Sequence, residues 1–278
     1  MKSGKHGIAI WRIVKRLAIL GTASYVLVCA VLYVLQDHFV YFPTESSTKL
    51  TLPAEEYEIS PSTDAKVVIH GYVVNRHANG PVVIFFTGNA GDARSYVNVL
   101  GKLNAPVTLT NYRGYGKGRG TPSEKTILSD ARHMLDRTKA EFPNRSIVLM
   151  GFSLGSGVAM LTADETVDGL ILVSPYRSLV HIATRSIMRI FPLELLMRSK
   201  FDSRPNLDEL PNKVLVLYSS IDRTIPTAET LSVLNYLPQA DVVVDDVPHN
   251  LLLSGPENVQ EIKKWLNEKF DNSPLREE

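Results

Sequence analysis

The feature that most constrains the fold is the run VLMGFSLGSG at residues 148–157. Its apolar first part is typical of a buried strand, and the small residues after Ser153 are typical of a helix start. The G-x-S-x-G pattern at such a junction indicates a nucleophile elbow, a strained turn that lifts a serine hydroxyl above the edge of a sheet. Gly151 and Gly155 fit this turn because side chains there would collide with the adjoining strand and helix. The run therefore predicts a strand–turn–helix unit with Ser153 at its apex.

Apolar runs alternate with helical periodicity over most of the remaining chain. This order predicts an α/β fold with a mostly parallel central sheet and helices on both faces. Val82–Phe86 is apolar throughout, as expected of a strand that is buried on both faces. An antiparallel hairpin at the sheet edge is predicted before it, at 57–59 and 67–74. Later strands are expected at 107–110, 147–150, 170–173, 214–218 and 242–244, and helices at 93–103, 122–142 and from about 257.

The segment 121–124 predicts how the helix at 122–142 begins. Thr121 is a suitable cap, Pro122 suits the first helical position, and Glu124 completes a capping box. The helix is therefore expected to start at Pro122.

The segment 175–210 interrupts the alternation of strands and helices. It is apolar and helical in places, above all at 187–197. We expect it to form a short helical cap over the carboxyl ends of the strands, where α/β sheets bind ligands.

The first 36 residues are predicted to attach the chain to a membrane. Basic residues at 1–16, such as Lys2 and Arg16, precede the uncharged segment 17–36, which is long enough to cross the hydrocarbon core as a helix. A cleaved signal peptide fits less well, because this segment is longer than a usual signal core and no clear cleavage site follows it.

The distribution of charge predicts the orientation of this anchor. Lysine and arginine precede it and acidic residues follow it, which places residues 1–16 in the cytoplasm and the catalytic domain outside it. A bacterial inner membrane, with the domain facing the periplasm, is the expected location. A connection at 37–56 then leads to one α/β catalytic domain at 57–278.

Composition argues against several other classes of protein. The chain has 278 residues, 44% of them hydrophobic, which is enough for one large core. Its formal net charge of +1 gives no attraction to nucleic acid, so we expect no nucleic-acid partner. Cys29 is the single cysteine, which excludes an intrachain disulfide framework and a multi-cysteine metal site. Neither a metal nor another cofactor is expected.

A serine nucleophile needs a histidine base, and that base needs a carboxylate that fixes its tautomer. Where the serine lies on an elbow of this type, the three follow in the order Ser, Asp, His. Asp222 follows the strand expected at 214–218, and His249 follows the strand expected at 242–244. We therefore predict Ser153, Asp222 and His249 as the catalytic residues.

Other acidic residues and histidines are weaker candidates. Asp241, Asp245 and Asp246 bracket the last strand, whereas the chain order favours an acid after the preceding strand, so we expect them in surface or turn positions. His181, in the predicted cap, is the one other histidine expected to approach the site.

An acyl-transfer site also needs N–H groups directed at the oxyanion that develops. The backbone N–H of Leu154, directly after the serine, is one predicted donor. The second is predicted in the loop TGNAGD after Val82–Phe86, and we assign it to the backbone N–H of Asn89.

Several of these motifs together resemble the membrane-anchored α/β-hydrolases of the serine hydrolase superfamily. They are TGNAG from Thr87, NYRGYGKGRGTPS from Asn111, GFSLG from Gly151, SPY from Ser174, and Asp222 with Ile225-Pro226. The resemblance implies an α/β-hydrolase fold and hydrolysis of esters or thioesters without a cofactor. Relatives of this kind include lipid esterases and enzymes that remove fatty acyl groups from proteins.

Three positions depart from the family pattern. Thr87 stands where a histidine is usual, Asn111 where an aspartate is usual, and Tyr218-Ser219 where a His-Gly pair is frequent. None of them is a member of the predicted triad, so they bear on the shape of the site rather than on its chemistry.

The function that we expect is hydrolysis of acyl esters or thioesters at a membrane, through an acyl-enzyme on Ser153. A noncatalytic protein with the same fold and a peptidase on the same fold are the alternatives. The sequence leaves open whether the apolar cap side chains line an acyl pocket or only pack the cap onto the sheet. These side chains are Leu179, Ile182, Ile187, Met188, Ile190, Phe191, Leu193, Leu195, Leu196 and Met197.

Overall fold

The computed structural model of the protein describes residues 3–61, 66–204 and 210–270, with side chains from residue 10 onward. Four parts of the predicted segments lie outside the described residues. They are residues 1–2 of the basic amino terminus, residues 205–209 of the predicted cap, and residues 62–65 and 271–278 of the predicted catalytic domain.

Within the described residues, one sheet of eight strands forms the centre of the protein. The strands are β1 (Glu55–Ile59), β2 (Ile69–Val74), β3 (Val82–Phe86), β4 (Val107–Thr110), β5 (Ile147–Phe152), β6 (Gly169–Val173), β7 (Val214–Ser219) and β8 (Asp241–Asp245). Their order in the sheet is β1-β2-β4-β3-β5-β6-β7-β8. Strands β1 and β2 pair antiparallel at the edge, β2 pairs antiparallel with β4, and all other pairs are parallel. The predicted edge hairpin and mostly parallel sheet are confirmed.

The helices surround this sheet and precede it. They are α1 (Ser3–Leu35), α2 (Asp37–Val40), α3 (Val97–Leu100), α4 (Glu124–Glu141), α5 (Leu154–Thr162), α6 (Leu179–Thr184), α7 (Leu193–Leu196), α8 (Thr227–Leu234) and α9 (Pro256–Phe270). Short 3₁₀ turns lie at Ala93–Tyr96, Ile187–Ile190 and His249–Leu251.

The sheet is covered by helices on both faces, as the apolar character of β3 predicts. Every residue of β3 is buried. Alternate residues of a strand point to opposite faces, and Ile84 packs in the cluster that contains side chains of α4 and α5. Phe85, the next residue, packs in the cluster that contains side chains of α3 and α9.

Helix α4 begins later than predicted. Its cap is Ser123, with an extended backbone (φ −155°, ψ 161°), and the capping box is closed by Thr126 rather than by Glu124. The prediction that Thr121 caps the helix is therefore wrong. Pro122 lies before the helix, and the next hydroxyl along the chain, on Ser123, accepts the hydrogen bond from the N–H of Thr126 at 3.2 Å.

The predicted helical regions at 93–103 and 187–197 are shorter than expected. A 3₁₀ turn and α3 occupy Ala93–Tyr96 and Val97–Leu100. In the cap, a 3₁₀ turn and α7 are separated at Pro192, whose backbone is non-helical (φ −78°, ψ 70°). Proline has no N–H to continue a helix ladder, so the cap consists of short pieces.

Helix α1 begins well before the segment 17–36 that was predicted to cross a membrane, and it ends at Leu35. It is helical from Ser3 to Leu35, and the part that is long and apolar enough to span a bilayer is Ile10–Leu35. Helix α2 follows at once, and then residues 41–54, which form neither helix nor strand, lead to β1. The sheet therefore begins at Glu55, after α2 and this one segment.

Candidate active site

Ser153 lies on a strained turn between β5 and α5. Its backbone has φ 53° and ψ −118°, a conformation that residues other than glycine rarely adopt. The turn is held by hydrogen bonds of 2.9 Å from the Ser153 N–H to Val173 O and of 2.7 Å from Ser156 Oγ to Ser153 O. The strained backbone marks this serine as a candidate functional residue.

The two glycines of the elbow have no room for a side chain. A Cβ atom on Gly151 would lie 2.1 Å from the carbonyl oxygen of Gly155, and a Cβ atom on Gly155 would lie 2.1 Å from that of Phe86. Both obstacles are backbone atoms, which cannot move aside as a flexible side chain does. The glycine pattern therefore follows from the close approach of β5, α5 and β3.

Asp222 and His249 form a buried pair at the same edge of the sheet. Nδ1 of His249 donates to Oδ2 of Asp222 at 2.6 Å, and the two side chains are 12% and 2% exposed. Asp222 follows β7 and His249 follows β8. Because parallel strands end at one edge, these loops lie on the side where β5 delivers Ser153.

The carboxylate of Asp222 is held by several further donors. Its Oδ1 accepts from the N–H groups of Thr224 at 2.8 Å and Ile225 at 2.9 Å, and its Oδ2 accepts from Ser174 Oγ at 2.9 Å. Burial raises the pKa of Asp222, but the hydrogen bonds from His249, Ile225 and Ser174 outweigh burial and leave the pKa below its ordinary value. The group is therefore ionised at neutral pH.

Ser174 is a contributor to the site for which the sequence analysis proposed no role. It is fully buried at the end of β6 and has a positive φ of 49°. The signal in the sequence was the small residue directly after a strand, in the SPY motif from Ser174. What the motif alone did not reveal is that the next strand, β7, brings Asp222 within hydrogen-bonding distance.

The imidazole of His249 lies against Phe152, the neighbour of Ser153. The two rings stack with centroids 4.9 Å apart and planes inclined by 29°. Among the described residues, Ser153 Oγ makes no hydrogen bond, and the serine is 7% exposed. Catalytic hydrogen bonds in ligand-free enzymes are often long and tighten when substrate binds.

Leu154 and Asn89, the residues that were predicted to supply N–H donors, line the same cavity as Ser153. Leu154 is the first residue of α5, so its N–H has no acceptor within the helix and lies at the positive end of the helix dipole. The carbonyl of Asn89 accepts from Tyr115 Oη at 2.8 Å and from the N–H of Phe42 at 3.0 Å, which fixes the loop after β3. Asn89, Ser153 and Leu154 line one cavity.

The unusual residues Thr87 and Asn111 keep this loop in place by their own hydrogen bonds. Thr87 Oγ1 donates to Gly91 O at 3.2 Å, within the loop itself. Asn111 Oδ1 accepts from the N–H of Ala93 at 2.8 Å, and its Nδ2 donates to Asp92 at 3.1 Å. The loop is therefore ordered by neutral side chains at positions where the family pattern has ionisable ones.

The competing residues have other partners. Nδ1 of His181 lies 2.7 Å from the carboxylate of Glu229, which is fully buried. Asp241 accepts from Trp265 Nε1 at 2.8 Å, and Asp245 accepts from Asn258 Nδ2 at 2.6 Å. Among the residues that the structure describes, no group of three or more His, Cys, Asp or Glu side chains is placed to hold a metal ion.

A cavity of about 450 Å³ extends from Ser153 under the cap. The apolar cap residues differ in their surroundings: six line the cavity, three are exposed, and Phe191 is half-buried and stacks on Tyr25. One set lines the cavity: Leu179, Ile182, Met188, Leu193, Leu196 and Met197. Of the others, Ile187 is 78% exposed, Ile190 58% and Leu195 83%. The cap therefore contributes both a pocket wall and an apolar outer surface.

Comparison with known proteins supports the fold. Residues 81–197 match a family model described as the alpha/beta hydrolase fold. An esterase from Pyrococcus furiosus superposes with a TM-score of 0.66 at 17% identity, over 83% of this chain and 97% of the esterase.

Two curated relatives add sequence similarity. An uncharacterized protein of Mycobacterium tuberculosis is 29% identical over 247 residues, which cover 84% of this chain and 88% of the relative. The lysophosphatidylserine lipase ABHD12 of Rattus norvegicus is 31% identical over 172 residues, which cover 54% of this chain and 43% of the lipase. Together with the sheet topology and the strand–turn–helix unit at Ser153, these matches show that the chain belongs to the α/β-hydrolase superfamily.

Proposed function

We propose that this protein is a serine hydrolase that cleaves carboxylic ester or thioester bonds through an acyl-enzyme on Ser153. The observation that carries the proposal is the buried Asp222–His249 pair beside a strained serine at the end of an apolar cavity. A serine hydroxyl is a weak nucleophile on its own, and an adjacent base held by a carboxylate is the usual means of activating it.

In the first half of the proposed reaction, Ser153 Oγ attacks the carbonyl carbon of the substrate while Nε2 of His249 takes the hydroxyl proton. The carbonyl oxygen becomes an oxyanion, which the N–H groups of Leu154 and Asn89 stabilise. The tetrahedral intermediate then collapses. Its bond to the alcohol or thiol breaks, and that group leaves with the proton that His249 returns.

In the second half, water replaces the alcohol or thiol. His249 takes a proton from the water molecule, whose oxygen attacks the acyl-enzyme carbonyl. Collapse of the second intermediate releases the carboxylic acid and returns the proton to Ser153. Asp222 keeps its negative charge throughout and stabilises the imidazolium that forms twice in each cycle, in accord with the lowered pKa of this carboxyl group.

The proposed substrates are acyl esters or thioesters that are presented at a membrane. The cavity next to Ser153 is lined mainly by leucine, isoleucine and methionine side chains, which suit a hydrocarbon chain. A relative with 31% identity is a lysophosphatidylserine lipase, which agrees with a lipid-like substrate. Exposed Ile187 and Leu195 on the cap would face the bilayer or its interface.

We further propose that α1 anchors the protein with its amino terminus in the cytoplasm. The stretch Ile10–Leu35 has the length and hydropathy of a membrane span. Arg12 and Arg16 lie near its first end, and Asp37 follows its second end. A reporter that is active only outside the cytoplasm, fused after Glu278 in a bacterial host, should be active. Activity of a reporter that works only in the cytoplasm, fused at the same place, would show that the orientation is the opposite one.

A fluorophosphonate probe tests the hydrolase proposal directly. The probe phosphonylates an activated serine, so the full chain in detergent should be labelled at Ser153, and Ser153→Ala should prevent labelling. An unlabelled, folded protein would instead favour a noncatalytic binding function. Turnover of peptide substrates but not of matched esters would favour a peptidase.

A further inference from the structure

Helix α1 and the turn that follows it form one wall of the cavity that contains Ser153. Leu32 of α1, Gln36 directly after its end, and Phe39 and Val40 of α2 line the cavity together with the cap. Gln36 keeps a helical backbone conformation (φ −54°, ψ −34°) and lies four residues after Leu32, so the two side chains point to the same side. One wall of the cavity is thus formed by a segment that lies more than a hundred residues before Ser153 in the sequence.

Gln36 connects this wall to the cap through both ends of its side-chain amide. Its Nε2 donates to Leu196 O at 2.9 Å, and its Oε1 accepts from the N–H of Arg198 at 2.6 Å. Gln36 is only 8% exposed. A buried amide with its donors and acceptor paired fixes the relative position of the two segments.

Further contacts extend the same interface in both directions. Towards the amino terminus, Tyr25 Oη donates to Ile190 O at 2.9 Å, and its ring stacks on Phe191 with centroids 5.6 Å apart. In the other direction, Arg198 pairs with Asp37 at 2.6 Å. We call these contacts, together with those of Gln36, the α1–cap interface.

The polar residues that line the cavity are Gln36, Asn89, Ser153, Tyr176 and Thr224, and the last belongs to the loop of Asp222 beside the serine. Tyr176 Oη donates to Leu154 O at 3.4 Å. The amide of Gln36 is used by the cap, and Asn89 and Leu154 adjoin Ser153. The wall formed by Leu32, the cap leucines and the cap methionines has no polar side chain to offer a headgroup. This chemistry suits a hydrocarbon chain that points away from the reacting carbonyl.

We infer that the acyl chain of the substrate lies between α1 and the cap, and that Leu32 helps to select the length of that chain. The inference rests on the proposed function, because it names what occupies the cavity of that site. Leu32 belongs both to the candidate span Ile10–Leu35 and to the cavity wall, so the cavity reaches the level of the span. Tyr25 meets the cap about 15 Å before the end of α1, so the cap edge lies alongside the span as well.

The test compares two tryptophan substitutions in α1 of the full-length, detergent-solubilised protein. Leu32→Trp fills the cavity from the helix side, whereas Leu27→Trp changes a leucine of the same helix that is 65% exposed and does not line the cavity. Values of kcat/KM are measured for p-nitrophenyl esters from acetate to palmitate. Each methylene that binds an apolar wall is worth roughly fourfold in kcat/KM.

Leu32→Trp should lower the ratio of kcat/KM for palmitate to that for acetate by about tenfold or more, because the loss of a few methylene contacts suffices. Leu27→Trp should leave this ratio within about twofold of the unsubstituted protein. Equal ratios in both variants, with Ser153 still labelled by the fluorophosphonate, would overturn the inference and leave the hydrolase proposal intact. An unsubstituted protein that neither turns over esters nor reacts with the probe would overturn the proposed function itself.

A photochemical measurement gives an independent answer that does not depend on a variant. A fluorophosphonate with a long alkyl chain and a terminal diazirine is bound to Ser153, irradiated, and its cross-links are mapped by mass spectrometry. Cross-links to the segment 25–40 and to the cap support the inference. Cross-links confined to the sheet and to helices α4, α5, α8 or α9 would contradict it.

Discussion

The elbow at Ser153 and the α1–cap interface border the same cavity, but different interactions fix their geometry. At the elbow, backbone meets backbone, and a single Cβ on Gly151 or Gly155 would lie 2.1 Å from a carbonyl oxygen. At the α1–cap interface, side chains of Tyr25 and Gln36 bridge segments that elsewhere leave an open cavity. The elbow therefore tolerates almost no substitution, whereas the α1–cap interface tolerates many.

This difference matches the two roles that we propose, catalysis at the elbow and substrate recognition at the α1–cap interface. A nucleophile has to be held within a fraction of an ångström, which a sheet edge and a helix start can do because they are rigid. A site for an acyl chain needs only shape and apolar surface, and a change of one side chain there alters affinity by small steps. We therefore expect large, uniform losses of turnover from changes at the elbow and its partners, and substrate-dependent losses from changes at the α1–cap interface.

The largest expected effect is on turnover in Ser153→Ala and His249→Ala. Each should lower kcat by a factor of roughly 10⁴ to 10⁶ for every ester, because a nucleophile and its base act as a unit. Circular dichroism and thermal unfolding should be close to those of the unsubstituted protein. If the loss of kcat in these variants varied strongly with the acyl-chain length of the ester, the elbow would not differ from the α1–cap interface in the way that we expect.

Asp222→Asn should cost roughly 10⁴-fold in kcat, because the amide cannot hold His249 in the productive tautomer or stabilise the imidazolium. Asp246→Asn is the matched control, since Asp246 lies in the same loop region as His249 but outside the hydrogen bonds to the imidazole. Its kcat should stay within about twofold of the unsubstituted value. If Asp246→Asn abolished turnover and Asp222→Asn did not, our assignment of the acid would be wrong.

Gly155→Ala should destabilise the fold by about 4 kcal/mol or more, or prevent folding, because the new Cβ meets backbone that cannot move. Gly255→Ala is the matched control, with nothing within 4 Å of its new Cβ, and should change the free energy of unfolding by less than about 1 kcal/mol. Urea denaturation measures both. A stable Gly155→Ala variant would show that the backbone of the elbow tolerates change, which would contradict the contrast with the α1–cap interface.

The smallest expected effect concerns pH. The pKa of Asp222 is lower in the folded protein than its ordinary value, so its ionisation contributes stability above the pKa of the unfolded chain, about 3.9. That contribution is lost as the pH falls from there through the lower folded pKa. The difference in unfolding free energy between the unsubstituted protein and Asp222→Asn should therefore shrink below about pH 4. A difference that grew on acidification would mean that the carboxyl is stabilised in its protonated form.

Local sequence patterns were sufficient where neighbours along the chain decide the structure. The apolar residues of β3 and β5 predicted strands because each strand is buried on both faces and needs an unbroken apolar run. Helix boundaries were less predictable, since Thr121 and Ser123 are both suitable caps and the choice depends on where the backbone turns into α4. In the cap, Pro192 divided a segment whose periodicity predicted one helix.

The sequence by itself determined the fold class, the elbow and the candidate residues Ser153, Asp222 and His249, because strand ends, glycines and chain order are properties of single segments. Only the tertiary structure revealed that Ser174 lies beside Asp222. It alone also revealed that Leu32 and Gln36 line the cavity. Gln36 meets Leu196 and Arg198 across about 160 residues of sequence, and no local pattern encodes such a contact. Its existence depends on how α1 and the cap pack, which is decided by the burial of surfaces from both segments at once.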